Sequence, residues 1–378
     1  MTKSIRMKNA FLVLIASAVA LLTPVDSFAK VKIVVQTLFP TGVISIGDDA
    51  TVPVKEKIEA VTGGSIEIIL AGPGEIVPTS DLISAVVAGD QIQGAFCLGT
   101  VTSLTWDEMY AQSFPFGFEA DEYNSWLYEG GGIALQNEKL ADEGLVAFPA
   151  FSLPFDASGW FKEPLPETTA AFIGMYQNNP LKYRLFGLGG EVFERVMGGA
   201  VARVPGVAGV SVLDNLINGD LDAAEFLGPA ADEQAFFSDP GMPALYYYIT
   251  AWHSPTTIIQ LYLNKDVYYS LTDQQRIQLQ TALREQTAAS LARMMKLNGE
   301  ALKRLQDIHG VTVLETPEKI LDDLRAATIE ILNEKAAGDP DFGDVLLHVR
   351  DFVKTQQEAW KKANVNPKDR FDYDGWQP

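Results

Sequence analysis

The chain has 378 residues, 47% of them hydrophobic, a length that exceeds one compact core and predicts two lobes. Its 29 basic and 49 acidic residues give a formal net charge of −20, which excludes nucleic-acid binding through a basic face. The overall charge also repels anionic lipid and anionic ligands, so a site for an anion needs its own positive group.

The first 29 residues have the pattern of a targeting segment. Basic residues precede an apolar run over 10–22, and Ser27-Phe28-Ala29 closes the segment. This pattern predicts a secretory signal peptide cleaved after Ala29, and therefore a periplasmic protein. A membrane anchor is the alternative, but the run is shorter than the ~20 apolar residues that span a bilayer.

A single cysteine, Cys97, excludes an intramolecular disulfide. It lies in an apolar stretch, which indicates a small buried hydrophobe; a thiol lining a pocket is the alternative.

Strand and helix patterns alternate from the start of the mature chain, which predicts α/β lobes with mostly parallel sheets. The predicted strands cover 31–36, 65–70, 93–98, 145–149, 183–186, 246–250, 258–263 and 311–314, with a further strand after a short helix at 215–224. Other predicted helices cover 48–61, 80–88, 121–142 with a break at Gly130-Gly131-Gly132, and 191–197.

The last third is predicted to be helical. Thr272 and Gln275 form a capping box before a helix that reaches Ile308. Thr316 is expected to cap the next helix, with Pro317 in its first position and Gly338 at its end. A final amphipathic helix is predicted over 342–363, followed by an extended tail.

No segment resembles a flexible linker, so the two lobes are expected to be joined by strands that cross between them. We assign 30–152 and about 245–285 to lobe 1, and 153–244 and about 286–340 to lobe 2. The remaining 341–378 form a C-terminal helix and tail, a candidate dimerisation element.

Motifs for catalysis are missing from the sequence. The three histidines lack metal-ligand spacing, and neither a nucleophile elbow nor a phosphate-binding loop is present. The turn Gly187-Leu188-Gly189-Gly190 between a strand and a helix favours tight turning over anion binding.

Two charged residues lie in apolar strands. Arg184 offers a planar fork that fits a carboxylate, so it is either a ligand clamp or half of an internal ion pair. Glu225 needs a partner or a cation if it is buried, and the simpler interpretation is that it is exposed to solvent.

The chain resembles the extracytoplasmic solute receptors of the tripartite ATP-independent periplasmic (TRAP) transporters, the DctP-like family. Within it, the chain is most similar to the branch that binds 2-oxo acids or lactate with a cation. The segments that carry the resemblance are Phe114 to Phe118, Trp126 with Gly130 to Gly132, Gly159 to Phe161, Leu181 to Arg184, Gly187 to Val192, Asp222 to Pro229, Trp252 to Pro255 and Leu263 to Lys265.

The resemblance implies roles for individual residues. Arg184 matches the arginine that grips the ligand carboxylate, and Glu225 matches an acidic ligand of the cation. Phe226 matches a position, often Trp, whose carbonyl binds the cation and whose ring meets the ligand.

Two departures from the branch concern the cation. Asp156 stands where the branch usually has Gln, and Ser254 stands where it usually has Glu. One hypothesis keeps a Ca²⁺ or Na⁺ site of Asp156, Glu225, Phe226 and Ser254, because all-oxygen ligation suits hard cations. The competing hypothesis removes the cation and lets Asp156 contact the ligand directly.

The implied fold is α/β, a two-lobe periplasmic binding protein fold (type II-like) with crossing strands, a long lobe-spanning helix and C-terminal helices. The implied partners are a small organic acid and the transporter's membrane subunits, and relatives can form homodimers through their C-terminal helices. Aromatic residues are candidates for the pocket wall, each with ordinary core packing as its alternative: Phe39, Phe96, Phe226 and Trp252.

Two rival functions remain at this stage. A periplasmic hydrolase would use Asp156 and Glu225 as an acid/base pair. A ligand-sensing protein would use the same fold without transport.

Overall fold

The computed structural model describes residues 30–39, 51–204, 209–237 and 245–357. The predicted signal peptide, the start of the helix predicted at 48–61 and the C-terminal tail lie outside these ranges. Within them, no helix is long and apolar enough to cross a membrane.

The strands of the described ranges are β1 Val31–Thr37, β2 Ile66–Ala71, β3 Gly94–Cys97, β4 Leu145–Leu153, β5 Gly159–Phe161, β6 Leu181–Arg184, β7 Val201–Arg203, β8 Ala223–Ala224, β9 Tyr246–Tyr248, β10 Thr257–Asn264 and β11 Thr312–Leu314. Nine of these eleven strands lie close to predicted positions, and the short strands β5 and β7 were not predicted.

Helices fill most of the intervals between strands and most of the last third. They are α1 Val52–Val61, α2 Leu82–Ala88, α3 Ala120–Tyr128, α4 Gly132–Leu140, α5 Thr169–Tyr176, α6 Gly187–Met197, α7 Gly209–Asn218, α8 Pro229–Phe236, α9 Lys265–Ser270, α10 Asp273–Asp307, α11 Glu318–Gly338 and α12 Pro340–Phe352.

The strands form two sheets, which confirms the predicted α/β class. The first has the order β2-β1-β3-β10-β4, and the second has the order β11-β9-β5-β8-β6-β7. In the first sheet β4 and β10 are buried along their whole length, because both faces are covered and the strands are nearly continuous apolar runs. Cys97 in β3 is fully buried, as the small-hydrophobe interpretation predicts.

Two short segments carry the chain between the sheets, and α10 carries it a third time. Residues 154–158 lead from β4 to β5, and residues 249–256 lead back from β9 to β10. They lie side by side, since the backbone N–H of Asp156 donates to the carbonyl of Ser254 at 3.0 Å. The crossing strands expected from the sequence are therefore present.

Helix α10 extends along both sheets. At about 1.5 Å per residue its 35 residues span roughly 50 Å. Its first half packs on β4, where Ser290 Oγ accepts from the backbone N–H of Ser152 at 2.9 Å. Its second half packs on α8, where Asn298 Oδ1 accepts from the backbone N–H of Ala230 at 3.0 Å.

The helix start at Thr272 is confirmed, but the one at Thr316 is wrong. Thr272 and Gln275 make both bonds of the capping box. Thr316 makes no cap; its backbone N–H donates to Thr250 Oγ1, and Pro317 is the N-cap residue of α11. Because Pro317 lacks an N–H and fixes its own backbone angle, it ends the extended segment without a capping side chain.

Strand β9 pairs with β5 and β11 in the second sheet, whereas the sequence assigns residues from about 245 to the first lobe. By strand pairing, the return to the first sheet occurs at β10. Helix α12 then packs beside α4, and Trp126 Nε1 donates to His348 Nδ1 at 2.9 Å.

Candidate functional site

Parallel pairing of β6 with β8 brings Arg184 and Glu225 together. Arg184 lies opposite Ala224, so both charged residues stand at the carboxyl ends of their strands, where α/β sheets usually bind ligands. Arg184 Nη1 donates to Glu225 Oε2 at 2.7 Å and also to the Glu225 carbonyl oxygen. The side chains are 7% and 5% exposed, so the interpretation of Glu225 as solvent-exposed is wrong.

Aromatic rings surround the Arg184 guanidinium. Its central carbon lies 4.4 Å from the centroid of the Phe186 ring and 5.7 Å from that of Phe226. Burial lowers the pKa of Arg184, while the Glu225 carboxylate opposes that shift. A guanidinium with so little water around it binds an anion more strongly than an exposed one.

Asp156 lies on the first crossing segment and faces the second. Its Oδ2 accepts from Ser254 Oγ at 2.7 Å and from Thr257 Oγ1 at 2.6 Å. Its Oδ1 is buried and has no hydrogen-bond partner among the described residues. Burial, with the nearby Glu225 charge adding to it, raises the pKa of Asp156 to about 6.

His253 lies beside Ser254 on the second crossing segment and is 3% exposed. Its Nε2 is 3.9 Å from Glu225 Oε1, which is longer than a hydrogen bond. Neither ring nitrogen has a hydrogen-bond partner among the described residues. The sequence analysis did not assign this residue a role.

Asp232 fixes the segment that follows Glu225. Its Oδ1 accepts from the backbone N–H of Leu227 at 3.0 Å, and its Oδ2 accepts from Trp160 Nε1 and Tyr247 Oη, both at 2.9 Å. Burial raises the pKa of Asp232 to about 7. The loop that carries Glu225 and Phe226 is therefore held at both of its ends.

The remaining aromatic candidates lie in different surroundings. Trp252 is buried next to His253 and stacks on Phe193 at 6.3 Å between ring centroids. Phe96 is fully buried within β3, and Phe39 is half-buried two residues after the end of β1. An open cavity of about 450 Å³ lies elsewhere, beside Tyr128, Tyr268 and Arg284. The Arg184 and Glu225 side chains, by contrast, are almost inaccessible to solvent.

The structure thus brings Arg184, Glu225 and Phe226 together on the second sheet, and Asp156 with Ser254 at the crossing. Sequence reasoning missed His253, Thr257, Phe186 and Asp232. One signal was available: Phe186 follows Arg184 by two residues, the spacing of one strand face.

The donor chemistry fits a hard cation. Asp156 Oδ2 accepts from the hydroxyls of Ser254 and Thr257, its Oδ1 has no partner among the described residues, and oxygen ligands of these kinds suit Ca²⁺ and Na⁺. Among the described residues, no group of three or more His, Cys, Asp or Glu side chains is placed to hold a metal ion. A cation here needs further oxygens, from the backbone, hydroxyls or a bound acid.

Two α/β units joined by crossing segments, with a buried guanidinium at the carboxyl end of a strand, have the arrangement of a two-lobe solute receptor. Residues 208–339 match the family model described as bacterial extracellular solute-binding protein, family 7 (DctP). The chain is also 30% identical, over 82% of its length and 81% of the relative's, to the monocarboxylate 2-oxoacid-binding periplasmic protein of Nostoc sp.. The chain belongs to this family, the solute receptors of TRAP transporters.

Solved structures of the same fold include two TRAP periplasmic solute-binding proteins. The protein of Colwellia psychrerythraea, with bound calcium and pyruvate, has a TM-score of 0.77 at 24% identity, covering 89% of this chain and 97% of its own. The protein of Pseudoalteromonas atlantica, with bound sodium and pyruvate, has a TM-score of 0.74 at 23% identity, covering 89% of this chain and 100% of its own. These matches confirm the two-lobe periplasmic binding protein fold.

Proposed function

We propose that this receptor binds a small 2-oxo or 2-hydroxy monocarboxylate together with Ca²⁺ or Na⁺, and delivers the acid to the membrane subunits of its transporter. The observation that carries the proposal is the buried guanidinium of Arg184, set among aromatic rings beside an unpartnered carboxylate oxygen. The ligands named for the Nostoc relative and the two solved structures support the same class of acid and cation.

Arg184 binds the carboxylate of the acid through its planar N–H groups. Asp156, Glu225, Ser254 and the Phe226 carbonyl supply oxygens to the cation. A cation held by these residues would offset the negative charge of the two acidic side chains in the buried site. Phe226, Phe39, Phe96 and Trp252 form apolar walls, which restrict the size of the acid.

The lobes act as moving units, 30–152 with about 245–285 and 153–244 with about 286–340. The return boundary falls nearer β10, in view of the pairing of β9. The acid enters when the lobes are apart and is enclosed when they close, the hinge motion of periplasmic binding proteins. Asp156 and Ser254 lie on the crossing segments, so ligand contacts and hinge are the same part of the chain.

The protein is exported to the periplasm by its first 29 residues, and it is not an enzyme. A hydrolase using Asp156 and Glu225 is the less supported function, because the Glu225 carboxylate is held by Arg184. Sensing instead of uptake would use the same binding step. A homodimer formed through 341–378 stays a prediction, and gel filtration with light scattering tests it.

Calorimetric titration of the purified mature protein with pyruvate, with and without Ca²⁺, tests the proposal. We expect tight binding in Ca²⁺, weaker binding in chelator, and no measurable binding to Arg184→Ala. The exposed Arg195, paired with Glu334, provides the matched control Arg195→Ala, which should bind as wild type does.

The outcomes separate the parts of the proposal. Binding that is indifferent to chelator removes the cation and keeps the receptor. Retained binding by Arg184→Ala refutes the arginine clamp. Absence of binding to pyruvate, lactate and other small monocarboxylates refutes the assigned ligand class. Recovery of chemically changed pyruvate after incubation would support an enzymatic function instead.

A further inference from the structure

We propose that His253 is a specificity residue that hydrogen-bonds the oxygen on the second carbon of the bound acid. The inference rests on the proposed function and deepens it. Its basis is a buried imidazole, 3% exposed, with neither ring nitrogen paired within the described chain.

The position of His253 is fixed by its surroundings. Its side chain lies so close to Gly189 in α6 that a methyl group on Gly189 would overlap the His253 Cβ. The Trp252 ring stands next to it, with 5.5 Å between ring centroids. Its Nε2 therefore faces the Arg184–Glu225 pair, 3.9 Å from Glu225 Oε1.

Buried polar atoms in folded proteins nearly always have hydrogen-bond partners, so an exception calls for one from outside the chain. Of the other buried side-chain atoms without a partner among the described residues, Asp156 Oδ1 lies on the neighbouring crossing segment. Two unpaired polar groups on adjacent segments indicate that one ligand binds between them. A purely structural histidine would instead bond to the protein, as His348 does to Trp126.

The part of the ligand that His253 contacts follows from the group that Arg184 binds, which is the carboxylate. With the carboxylate on Arg184, the remaining polar group of a small 2-oxo or 2-hydroxy acid is the oxygen on its second carbon. A neutral imidazole has one donor and one acceptor nitrogen, so it pairs with either a keto or a hydroxyl oxygen. Propionate, which lacks that oxygen, leaves His253 unpaired in a closed site.

Sites that hydrogen-bond a ligand group discriminate against analogues that lack it. We expect wild-type protein in Ca²⁺ to prefer pyruvate over propionate by more than tenfold in Kd. The substitution His253→Leu should lower that ratio by about tenfold, mainly by weakening pyruvate. His253→Gln, which keeps a donor, should retain more of the ratio than His253→Leu.

The matched control is His309→Leu, because His309 is exposed and its contacts are with Glu233 and Phe237, neither of which is a residue assigned to the acid site. It should keep the wild-type ratio. If wild type prefers pyruvate and His253→Leu keeps the full preference, the inference is overturned while the proposed function stands. If wild-type protein binds neither pyruvate nor propionate, the proposed function is refuted, and the inference about His253 is refuted with it.

A measurement on unsubstituted protein covers the case in which His253→Leu does not fold. The chain has three histidines, so imidazole nitrogen resonances can be assigned with His309→Leu and His348→Leu alone. We expect pyruvate, and not propionate, to shift the ring nitrogens of His253 selectively. Equal responses to both acids, or no response at His253, would refute the contact.

Discussion

At the residue scale, the Arg184–Glu225 pair combines two roles, one in stability and one in binding. A buried ion pair contributes little net stability, but removal of one partner leaves an uncompensated buried charge. The two roles can therefore be separated by substitution of one or both residues.

We predict that Arg184→Met lowers the free energy of unfolding by about 3–5 kcal/mol, because the Glu225 carboxylate stays buried without its arginine. Adding Glu225→Met should restore much of that loss without restoring acid binding. Urea denaturation and calorimetry measure the two effects. A double variant as unstable as the single one would contradict this account.

A second buried acid, Asp107, lies in the first sheet's half of the molecule and is fully buried. Gln136 Nε2 and Tyr262 Oη donate to its two carboxylate oxygens at 2.7 and 2.8 Å. Burial raises its pKa from 3.8 to about 6 in spite of these hydrogen bonds. The folded protein therefore holds the Asp107 proton more tightly than the unfolded chain does.

It follows that stability from Asp107 is complete below pH ~4 and is lost as the pH rises through about 6. We predict that Asp107→Asn reduces the fall in unfolding free energy between pH 5 and 7.5 by an amount on the order of 1 kcal/mol. Denaturant titrations at several pH values measure this. The exposed control Asp142→Asn should follow the wild-type profile, and an Asp107→Asn profile identical to wild type would refute the prediction.

The residues of the site were partly predictable. Arg184 was recognisable in the sequence as a charged residue in an apolar strand. Its contact with Glu225 results from the pairing of β6 with β8. The pairing register could not be read from the sequence, because β8 has only two residues and no pattern of its own. His253 was not recognisable, since its lack of a partner is a three-dimensional property.

At the element scale, local signals located several helix ends, but helices α5, α8 and α9 and strands β5 and β7 were not predicted. The capping box at Thr272 and the glycine break between α3 and α4 depend on neighbouring residues alone, and both are present. The Thr316 side chain makes no cap; its hydroxyl lies 3.4 Å from Ser158 Oγ, a contact between residues 158 positions apart. Helix propensity and residue spacing do not show when a contact with a residue distant in sequence takes the place of a local cap.

One element contact joins the two halves directly. Glu108, in the 3-10 helix Asp107–Tyr110, accepts through Oε1 from the backbone N–H of Leu188 at 2.7 Å. Leu188 is in the first turn of α6, where unpaired N–H groups and the helix dipole favour a negative charge. The contact links the first sheet's half to the helix that begins just after Arg184.

We predict that Glu108→Ala weakens acid binding several-fold although Glu108 does not contact the acid. The reason is that the Glu108–Leu188 hydrogen bond stabilises the arrangement in which the halves are together. A smaller closed population lowers apparent affinity in proportion. Calorimetry with pyruvate and Ca²⁺ measures the change, with Glu138→Ala on the exposed face of α4 as control. Equal affinities for the two variants would remove Glu108 from the closing mechanism.

At the scale of the whole molecule, two crossing segments and α10 are the connections between the sheets. Length and the absence of a linker predicted two lobes, and the pattern of the last third predicted a long helix. The boundary between lobes was less predictable, because β9 is short and aromatic and could pair with either sheet.

We predict that pyruvate with Ca²⁺ shifts the protein in solution towards a smaller radius of gyration, because the side chains of the Arg184 site are almost completely buried in this arrangement and an enclosed acid would favour it. Small-angle X-ray scattering with and without the acid measures the shift. Arg184→Ala should show no acid-dependent change. An unchanged radius for ligand-bound wild type would argue against hinge closure.

The burial of the Arg184 site also has a kinetic consequence. An acid enclosed by groups that are nearly all inaccessible to solvent has no exit while the halves stay together, so its dwell time is at least the waiting time for opening. A docking partner that holds the halves apart would shorten that dwell time without altering a single contact to the acid. Release of the acid is then controlled by the opening of the halves, so the affinity for the acid and its release rate at the transporter can differ independently.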